Sequence, residues 1–106
     1  MNKKILITAF DEEQKNIKEI ANQLIKARLA SCINLIPNIL SIFNWDGKIT
    51  NSNEVAMCIK TYGVHIEEIK KIVKKLHEYS TPEFIVLDFG IVDKQFDDWY
   101  EKQIKG

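Results

Sequence analysis

The fold is decided by residues 31–61, which read SCINLIPNILSIFNWDGKITNSNEVAMCIKT. Asp46-Gly47 lies at the centre of this stretch, between two apolar segments without helical periodicity. Asp-Gly in that setting is a strong β-hairpin signal, because glycine adopts the positive φ of a tight turn without strain. The arms, residues 31–45 and 48–61, are each on the order of 45 Å long at about 3.3 Å per residue.

Such a hairpin is too long for a compact chain of this size, whose radius of gyration is expected to be about 13 Å. The hairpin must therefore bend or project. Its outer half carries the apolar residues Ile39, Leu40, Ile42, Phe43, Trp45 and Ile49. Exposed apolar residues on a long strand invite aggregation unless another surface covers them. We therefore expect an obligate oligomer in which a second subunit covers the hairpin.

Length and charge limit the classes of partner. The chain has 106 residues, which predicts a single domain spanning residues 1–106. Fifteen basic residues balance fifteen acidic ones, whereas nucleic acids and anionic membranes attract basic surfaces. We therefore predict no nucleic-acid partner and no membrane partner.

The same sequence predicts a cytoplasmic location. No apolar run approaches the ~20 residues that span a bilayer, and the first apolar stretch lacks a small-residue cleavage site. In the cytoplasm Cys32 and Cys58 should be thiols. A hairpin that pairs Trp45 with Lys48 places Cys58 opposite Leu35, so no disulfide to Cys32 is expected.

The remaining segments alternate between strand and helix patterns. Residues 4–10, KILITAF, are typical of a central strand buried on both faces. Asp11 is predicted to cap the next helix, with Gln14 completing a capping box. The apolar stripe of that helix is Ile17, Ile20, Ala21, Leu24 and Ala27, and the stripe of the second helix is Ile66, Ile69, Ile72, Val73 and Leu76.

The end of the chain continues this alternation. The second helix should end before Thr81-Pro82, because proline disfavours helical backbone at the preceding residue. Residues 84–89 predict the last strand. Asp93 should cap a short terminal helix, whose inner face is expected to carry Phe96, Trp99, Tyr100 and Ile104.

These elements predict an α+β fold, a ferredoxin-like βαββαβ sandwich with a long β2-β3 hairpin and a short C-terminal helix. Right-handed crossovers place the first two helices on one face of the antiparallel sheet. The other face is expected to have no helix of its own, which again favours self-association. Pro37 cannot donate to a strand ladder and predicts a bulge or an edge position in the first arm.

His77 is the candidate metal ligand, because imidazole beside the carboxylate of Glu78 suits a transition metal. The alternative is a structural histidine at a helix C-terminus, where a cation is favoured. Cys32 and Cys58 lie in predicted strands and are interpreted as small buried hydrophobes, not as nucleophiles.

A second candidate site is the rim where Lys60 ends its strand. We expect that end to lie beside the end of the first strand and the start of the last. The rim would gather Thr8, Phe10, Lys60, Thr61, Tyr79, Pro82 and Glu83. An ammonium, a phenol and a carboxylate together suit a small anion or a metal, and a structural role is the alternative. No phosphate loop or hydrolase signature is present, so we predict that the protein is not an enzyme.

An ordered set of short motifs runs along nearly the whole chain, from about Ile5 to Trp99. The set comprises Ala27-Arg28-Leu29-Ala30-Ser31-Cys32-Ile33-Asn34, Ile36-Pro37, Ser41-Ile42-Phe43-x-Trp45-x-Gly47-x-Ile49, Glu54, Lys60-Thr61 and His77-x-Tyr79-x-Thr81-Pro82-Glu83. In this order and spacing it resembles the CutA family of divalent-cation tolerance proteins. The resemblance implies a compact, stable homotrimer with a ferredoxin-like fold and a cytoplasmic role in tolerance of copper and other divalent metals.

The chain departs from the family at positions that the family ties to copper binding. Those positions are a cysteine in the first strand and a His-His pair before a Pro-Tyr segment. Here they are Ile7 and Leu76-His77, and Glu78 replaces the proline. The resemblance therefore implies that no cofactor is required, and that copper or another divalent cation is bound weakly, with His77 as the remaining ligand.

Two other functions remain open at this point. The fold is similar to that of nitrogen-regulatory signal proteins, which hold nucleotides in clefts between subunits. By that analogy the residues of an inter-subunit cleft would be Trp45, Glu54, Lys60, Tyr79 and Glu83. The other alternative is a structural trimer that serves as an assembly partner. A fold alone does not choose between these functions.

Overall fold

The computed structural model describes residues 1–106 as an antiparallel sheet with three helices. The elements are β1 (Lys3–Asp11), α1 (Ile17–Lys26), β2 (Cys32–Trp45), β3 (Lys48–Tyr62), a 3₁₀ turn (Gly63–His65), α2 (Ile66–Leu76), β4 (Ile85–Asp88) and α3 (Lys94–Gln103). The strand order is β2-β3-β1-β4, and every neighbouring pair is antiparallel. The predicted α+β element order is confirmed. None of the helices has the length and apolar character needed to cross a bilayer.

The predicted hairpin is present and sets the long dimension of the molecule. Asp46 and Gly47 form its two-residue turn with φ values of 52° and 78°, as a tight hairpin turn with two positive φ angles requires. The Gly47 N–H donates to the Asn44 side chain at 3.0 Å. The molecule measures 46 × 25 × 22 Å, and at the outer end of the hairpin Ile49 is 85% exposed.

A bulge at Pro37-Asn38 shifts the pairing of the two hairpin arms. Ile39 pairs with Glu54 but Ile36 pairs with Ala56, so β2 has one residue more than β3 between these pairs. Asn38 has a φ of 62°. Pro37 is therefore at a bulge in an edge strand, as predicted. The expected pairing of Cys58 with Leu35 was wrong by one residue, and Cys58 pairs with Asn34.

The main core lies between the sheet and the pair of helices α1 and α2. It contains Leu6, Phe10, Met57 and Ile59 from the strands and Ile20, Leu24, Ile69 and Val73 from the helices. Along β1 the buried residues of this face are Leu6, Thr8 and Phe10, whereas Ile5 and Ile7 on the other face are only partly buried. The prediction that β1 is buried on both faces was wrong, because within one chain no helix covers the middle of the second face.

That second face is not free of helices, contrary to the prediction. Tyr62 pairs with Lys3 across β3 and β1, on the face opposite the main core, and it packs edge-on against Tyr100 of α3 at 5.4 Å between ring centroids. Thus α3 covers one end of the face. Its inner side chains are Tyr100 and Ile104, while Phe96 and Trp99 are 41% and 43% exposed, so half of the predicted inner face was wrong.

The start of α1 also differs from the prediction. β1 continues through Asp11, whose carboxylate accepts from the Glu13 N–H at 2.8 Å, and the helix begins only at Ile17. Gln14 is buried and makes no capping box. Its side chain donates to the Leu76 carbonyl at 3.1 Å and accepts from the Glu78 N–H at 3.2 Å. Gln14 therefore ties the turn before α1 to the C-terminus of α2.

Candidate functional site

His77 follows α2 and is buried against the end of β1. Its Nε2 lies 2.7 Å from the Ala9 carbonyl oxygen, and its Nδ1 lies 3.1 Å from the Tyr79 backbone nitrogen. A backbone N–H can only donate, so Nδ1 accepts and Nε2 carries the proton. The ring also stacks on Phe10, with centroids 4.3 Å apart and planes 13° apart. Both ring nitrogens are therefore occupied by main-chain groups.

This environment favours the neutral imidazole. Burial lowers the pKa of His77, although the hydrogen bond to Ala9 and the charges of Glu54 and Glu78 act in the opposite direction. A metal ion would need the lone pair on Nδ1, which the Tyr79 N–H already uses. No group of three or more His, Cys, Asp or Glu side chains lies together in the chain as a metal cluster. Metal binding by His77 stays a prediction.

Glu54 and Tyr79 meet beside this histidine. The Tyr79 hydroxyl donates to Oε2 of Glu54 at 2.7 Å, and Glu54 is only 8% exposed. Burial first, and then the hydrogen bond to Glu54, raise the pKa of Tyr79 to about 12. The Tyr79 and His77 rings are 4.9 Å apart. We call these three residues the His77–Tyr79–Glu54 cluster.

The structure separates Lys60 from this cluster. Lys60 pairs with Ile5 and Cys32, whereas Glu54 is six residues earlier on β3 and so about 20 Å away. The predicted rim of Thr8, Phe10, Lys60, Thr61, Tyr79, Pro82 and Glu83 therefore does not form. The error is one of direction: β1 and β3 are antiparallel, so the end of β3 lies beside the start of β1. Lys60 instead lines a groove of about 360 Å³ with Phe89, Ile91 and Phe96.

The other two predicted cleft residues also lie apart within one chain. Trp45 is at the tip of the hairpin and is 60% exposed. Glu83 is exposed in the segment before β4. Within one subunit, then, only Glu54 and Tyr79 of the five predicted cleft residues meet.

Two polar residues near the cluster were not predicted to belong to a site. Asp11 pairs with Glu54 across β1 and β3, whereas the sequence predicts it as a helix cap. The sequence predicts only a local role for Gln14, whereas beside its bond to Asn16 it contacts main-chain groups 62 and 64 residues away along the chain. The Asp-x-x-Gln spacing fits a capping box equally well, so the sequence carried no signal that distinguishes these roles.

Known proteins match this chain over nearly its full length. Residues 4–103 match the family model described as CutA1 divalent ion tolerance protein. The divalent-cation tolerance protein CutA of Archaeoglobus fulgidus is 35% identical over 105 residues, which cover 99% of this chain and 100% of that protein. The protein of the same description from Thermus thermophilus is 33% identical over 99 residues, which cover 93% of this chain and 94% of that protein.

A mammalian relative and two solved structures extend the comparison. Mouse protein CutA is 43% identical over 74 residues, which cover 70% of this chain and 42% of the mouse protein. The crystal structure of CutA1 from Oryza sativa superposes with a TM-score of 0.90 at 26% identity, covering 99% of this chain and 95% of that one. The A. fulgidus structure, described as a periplasmic divalent cation tolerance protein, gives 0.88 at 30% identity and covers 97% and 99%. This chain belongs to the CutA1 family of divalent ion tolerance proteins.

Proposed function

We propose that the protein acts as a homotrimer in tolerance of divalent cations such as copper, without catalysing a reaction. The observation that best supports this proposal is the exposed hairpin. In its outer half, the side chains of Ile42, Trp45 and Ile49 are each more than half exposed. Exposed apolar strands of this length are hazardous in a soluble monomer. Closed cyclic symmetry is the usual way in which copies of one chain cover such surfaces.

We infer that the metal is bound weakly, at a site completed by a neighbouring subunit. Within one chain no cluster of three ligands is present, and His77 offers a metal no free nitrogen. A divalent ion would have to displace the Tyr79 N–H from Nδ1. The free energy lost with that hydrogen bond offsets part of the free energy gained by coordination. Affinity should therefore be low unless a second subunit adds ligands.

The test is copper(II) calorimetry together with the mass in solution by sedimentation, measured on one sample of the full chain. The matched pair of variants is His77→Gln and His65→Gln, because both histidines are buried and both contact a main-chain carbonyl. We expect a trimer with weak copper binding that His77→Gln removes and His65→Gln retains. A monomer would contradict the assembly, and copper binding unchanged by His77→Gln would contradict the site.

A second candidate function is ligand binding between subunits at the His77–Tyr79–Glu54 cluster. Glu54 is buried, and no salt bridge to it is found within the chain. A buried carboxylate whose partner is a neutral phenol suits a cationic ligand better than the small anion expected from Lys60. A thermal-shift screen tests this: stabilisation by organic cations, absent in Glu54→Gln, would support it. No shift at millimolar concentrations would contradict it.

The cytoplasmic location is likewise a proposal, since the A. fulgidus relative is described as periplasmic. Fractionation of the native host with an antibody to the chain would test it. Recovery with cytoplasmic markers is the expected outcome.

A further inference from the structure

Cys32 and Cys58 are neighbours on the sheet face opposite the main core. Cys32 of β2 pairs with Lys60 of β3, and Cys58 of β3 pairs with Asn34 of β2. Lys60 and Cys58 are two residues apart on one strand, so all four side chains lie on the same face. The two cysteines are therefore diagonal neighbours across an uninterrupted part of the hairpin. Within one chain both are partly exposed, and both are free thiols.

The spacing of these thiols is wrong for a disulfide and suited to a bridging ion. Diagonal neighbours on adjacent strands lie about 7–8 Å apart, with their Cβ atoms somewhat closer, whereas a disulfide needs Cβ atoms about 3.5–4.5 Å apart. A metal ion between two thiolates holds the sulfurs up to about 4.6 Å apart, at about 2.3 Å per bond. The expected spacing of the pair therefore fits a shared ion better than a disulfide.

We propose that Cys32 and Cys58 form a two-coordinate site for copper(I). Thiolates are soft ligands that select copper(I), and two of them satisfy its linear geometry. Zinc prefers four ligands, and no third His, Cys, Asp or Glu joins the pair. On binding, each thiol loses its proton and forms one sulfur–copper bond. One Cu⁺ replaces two protons, and no electron is transferred.

The negative charge of the copper-loaded site can be balanced by a neighbouring lysine. A copper(I) dithiolate carries one negative charge, and Lys60 lies directly opposite Cys32 on the same face. Lys60 takes part in none of the salt bridges of the chain. Its ammonium group is therefore free to balance the copper site. A role for this site in the cell rests on the proposed function in metal tolerance. The site itself is formed by residues of one chain and does not depend on that function.

The experiment is anaerobic competition for copper(I) between the full chain and bicinchoninate. Wild type should bind one copper(I) per chain with two sulfur neighbours by X-ray absorption. Cys32→Ser and Cys58→Ser should each weaken binding about hundredfold or more, since the loss of one thiolate removes the chelate advantage. Excess zinc(II) should not displace the copper.

Two control variants distinguish binding by both cysteines together from binding by either cysteine alone. The double variant Cys58→Ser/Ser52→Cys keeps the composition but moves one sulfur six residues along β3, about 20 Å away, so it should bind as weakly as the single variants. Asn34→Ser changes the residue that pairs with Cys58 and should bind like wild type. Copper(I) should also protect both cysteines of the wild-type chain from alkylation, which tests the site without any substitution.

Copper(I) affinity that survives either single serine variant, or alkylation of both cysteines at saturating copper(I), would overturn the proposal. Either result would leave the trimer mass and the copper(II) titration unchanged. Conversely, a monomer that binds copper(I) through both cysteines would sustain this site and contradict the proposed function. The two proposals therefore fail separately.

Discussion

His77 joins β1 to the turn after α2 through two hydrogen bonds, and the one that it accepts at Nδ1 needs a neutral ring. Nε2 donates to the Ala9 carbonyl of β1, Nδ1 accepts from the Tyr79 N–H, and the ring stacks on Phe10. Ala9 lies beyond the last residue of β1 that pairs with β4, Ile7. The imidazole therefore satisfies a carbonyl of β1 where β4 does not reach it.

This role predicts a pH dependence of stability. Burial holds the pKa of His77 below its ordinary value, so below about pH 6.5 the unfolded chain binds more protons than the folded one. The contribution of His77 is full above that pH and is lost as the pH falls toward the folded pKa. Between about pH 7.5 and 5.5, wild type should lose more stability than His77→Gln. Urea unfolding at both pH values measures this, and equal losses would contradict it.

The hydrogen bond between Tyr79 and Glu54 predicts a second effect at the residue scale. Tyr79→Phe removes the donor to a buried carboxylate and should cost about 1–3 kcal/mol. The control is the same substitution in a Glu54→Gln background, where a neutral amide replaces the carboxylate. A cost of equal size in both backgrounds, by denaturant unfolding, would show that the charge of Glu54 adds nothing to this hydrogen bond.

At the scale of elements, the bulge in β2 determines which residues face each other on the inner half of the hairpin. Asn38 adopts a φ of 62° there, in the left-handed region that asparagine tolerates better than most residues and glycine tolerates best. Without this extra residue, the inner part of β2 would move by one position and turn its side chains to the other face.

Substitution at Asn38 should reveal this strain. Asn38→Ala should lower the free energy of unfolding by about 1–2 kcal/mol, whereas Asn38→Gly should leave it unchanged or raise it slightly. Thermal unfolding of both variants at one protein concentration is the measurement. If alanine were tolerated as well as glycine, the positive φ would not be a requirement of the bulge.

The elements that the sequence predicted well are those with a local cause. Asp46-Gly47 specifies its turn by itself, the stripe from Ile66 to Leu76 specifies α2, and Asp93 caps α3 by accepting from the Phe96 N–H at 2.9 Å. The site depends on partners that are distant in sequence. The bond from Tyr79 to Glu54 and the placement of Lys60 both follow from the antiparallel pairing of β1 with β3. The predicted antiparallel sheet implies this pairing, but the rim prediction placed the end of β3 beside the end of β1.

At the scale of the whole molecule, the hairpin should control assembly. Phe43→Glu introduces a charge into the outer hairpin, and Trp45→Ala removes the largest apolar side chain there. Both should shift the proposed trimer toward smaller species, because they reduce the apolar area available for burial. Sedimentation over a range of protein concentrations is the measurement.

The control for these variants is Val64→Glu, which places the same charge on another exposed apolar residue, in the 3₁₀ turn after β3 and so far from the hairpin tip. It should leave the mass unchanged. A mass that stays the same in both hairpin variants would show that the hairpin does not hold the subunits together.

The length of β3 also separates the two tryptophans of the chain. Trp45 lies opposite Lys48 at one end of that strand, and Trp99 lies in α3, which packs on Tyr62 at the other end. The two indoles are therefore two fluorescent reporters for different regions. If the proposed trimer forms, Trp45 emission should shift to the red when its subunits part on dilution. Trp99, in a helix packed within its own subunit, supplies a constant reference.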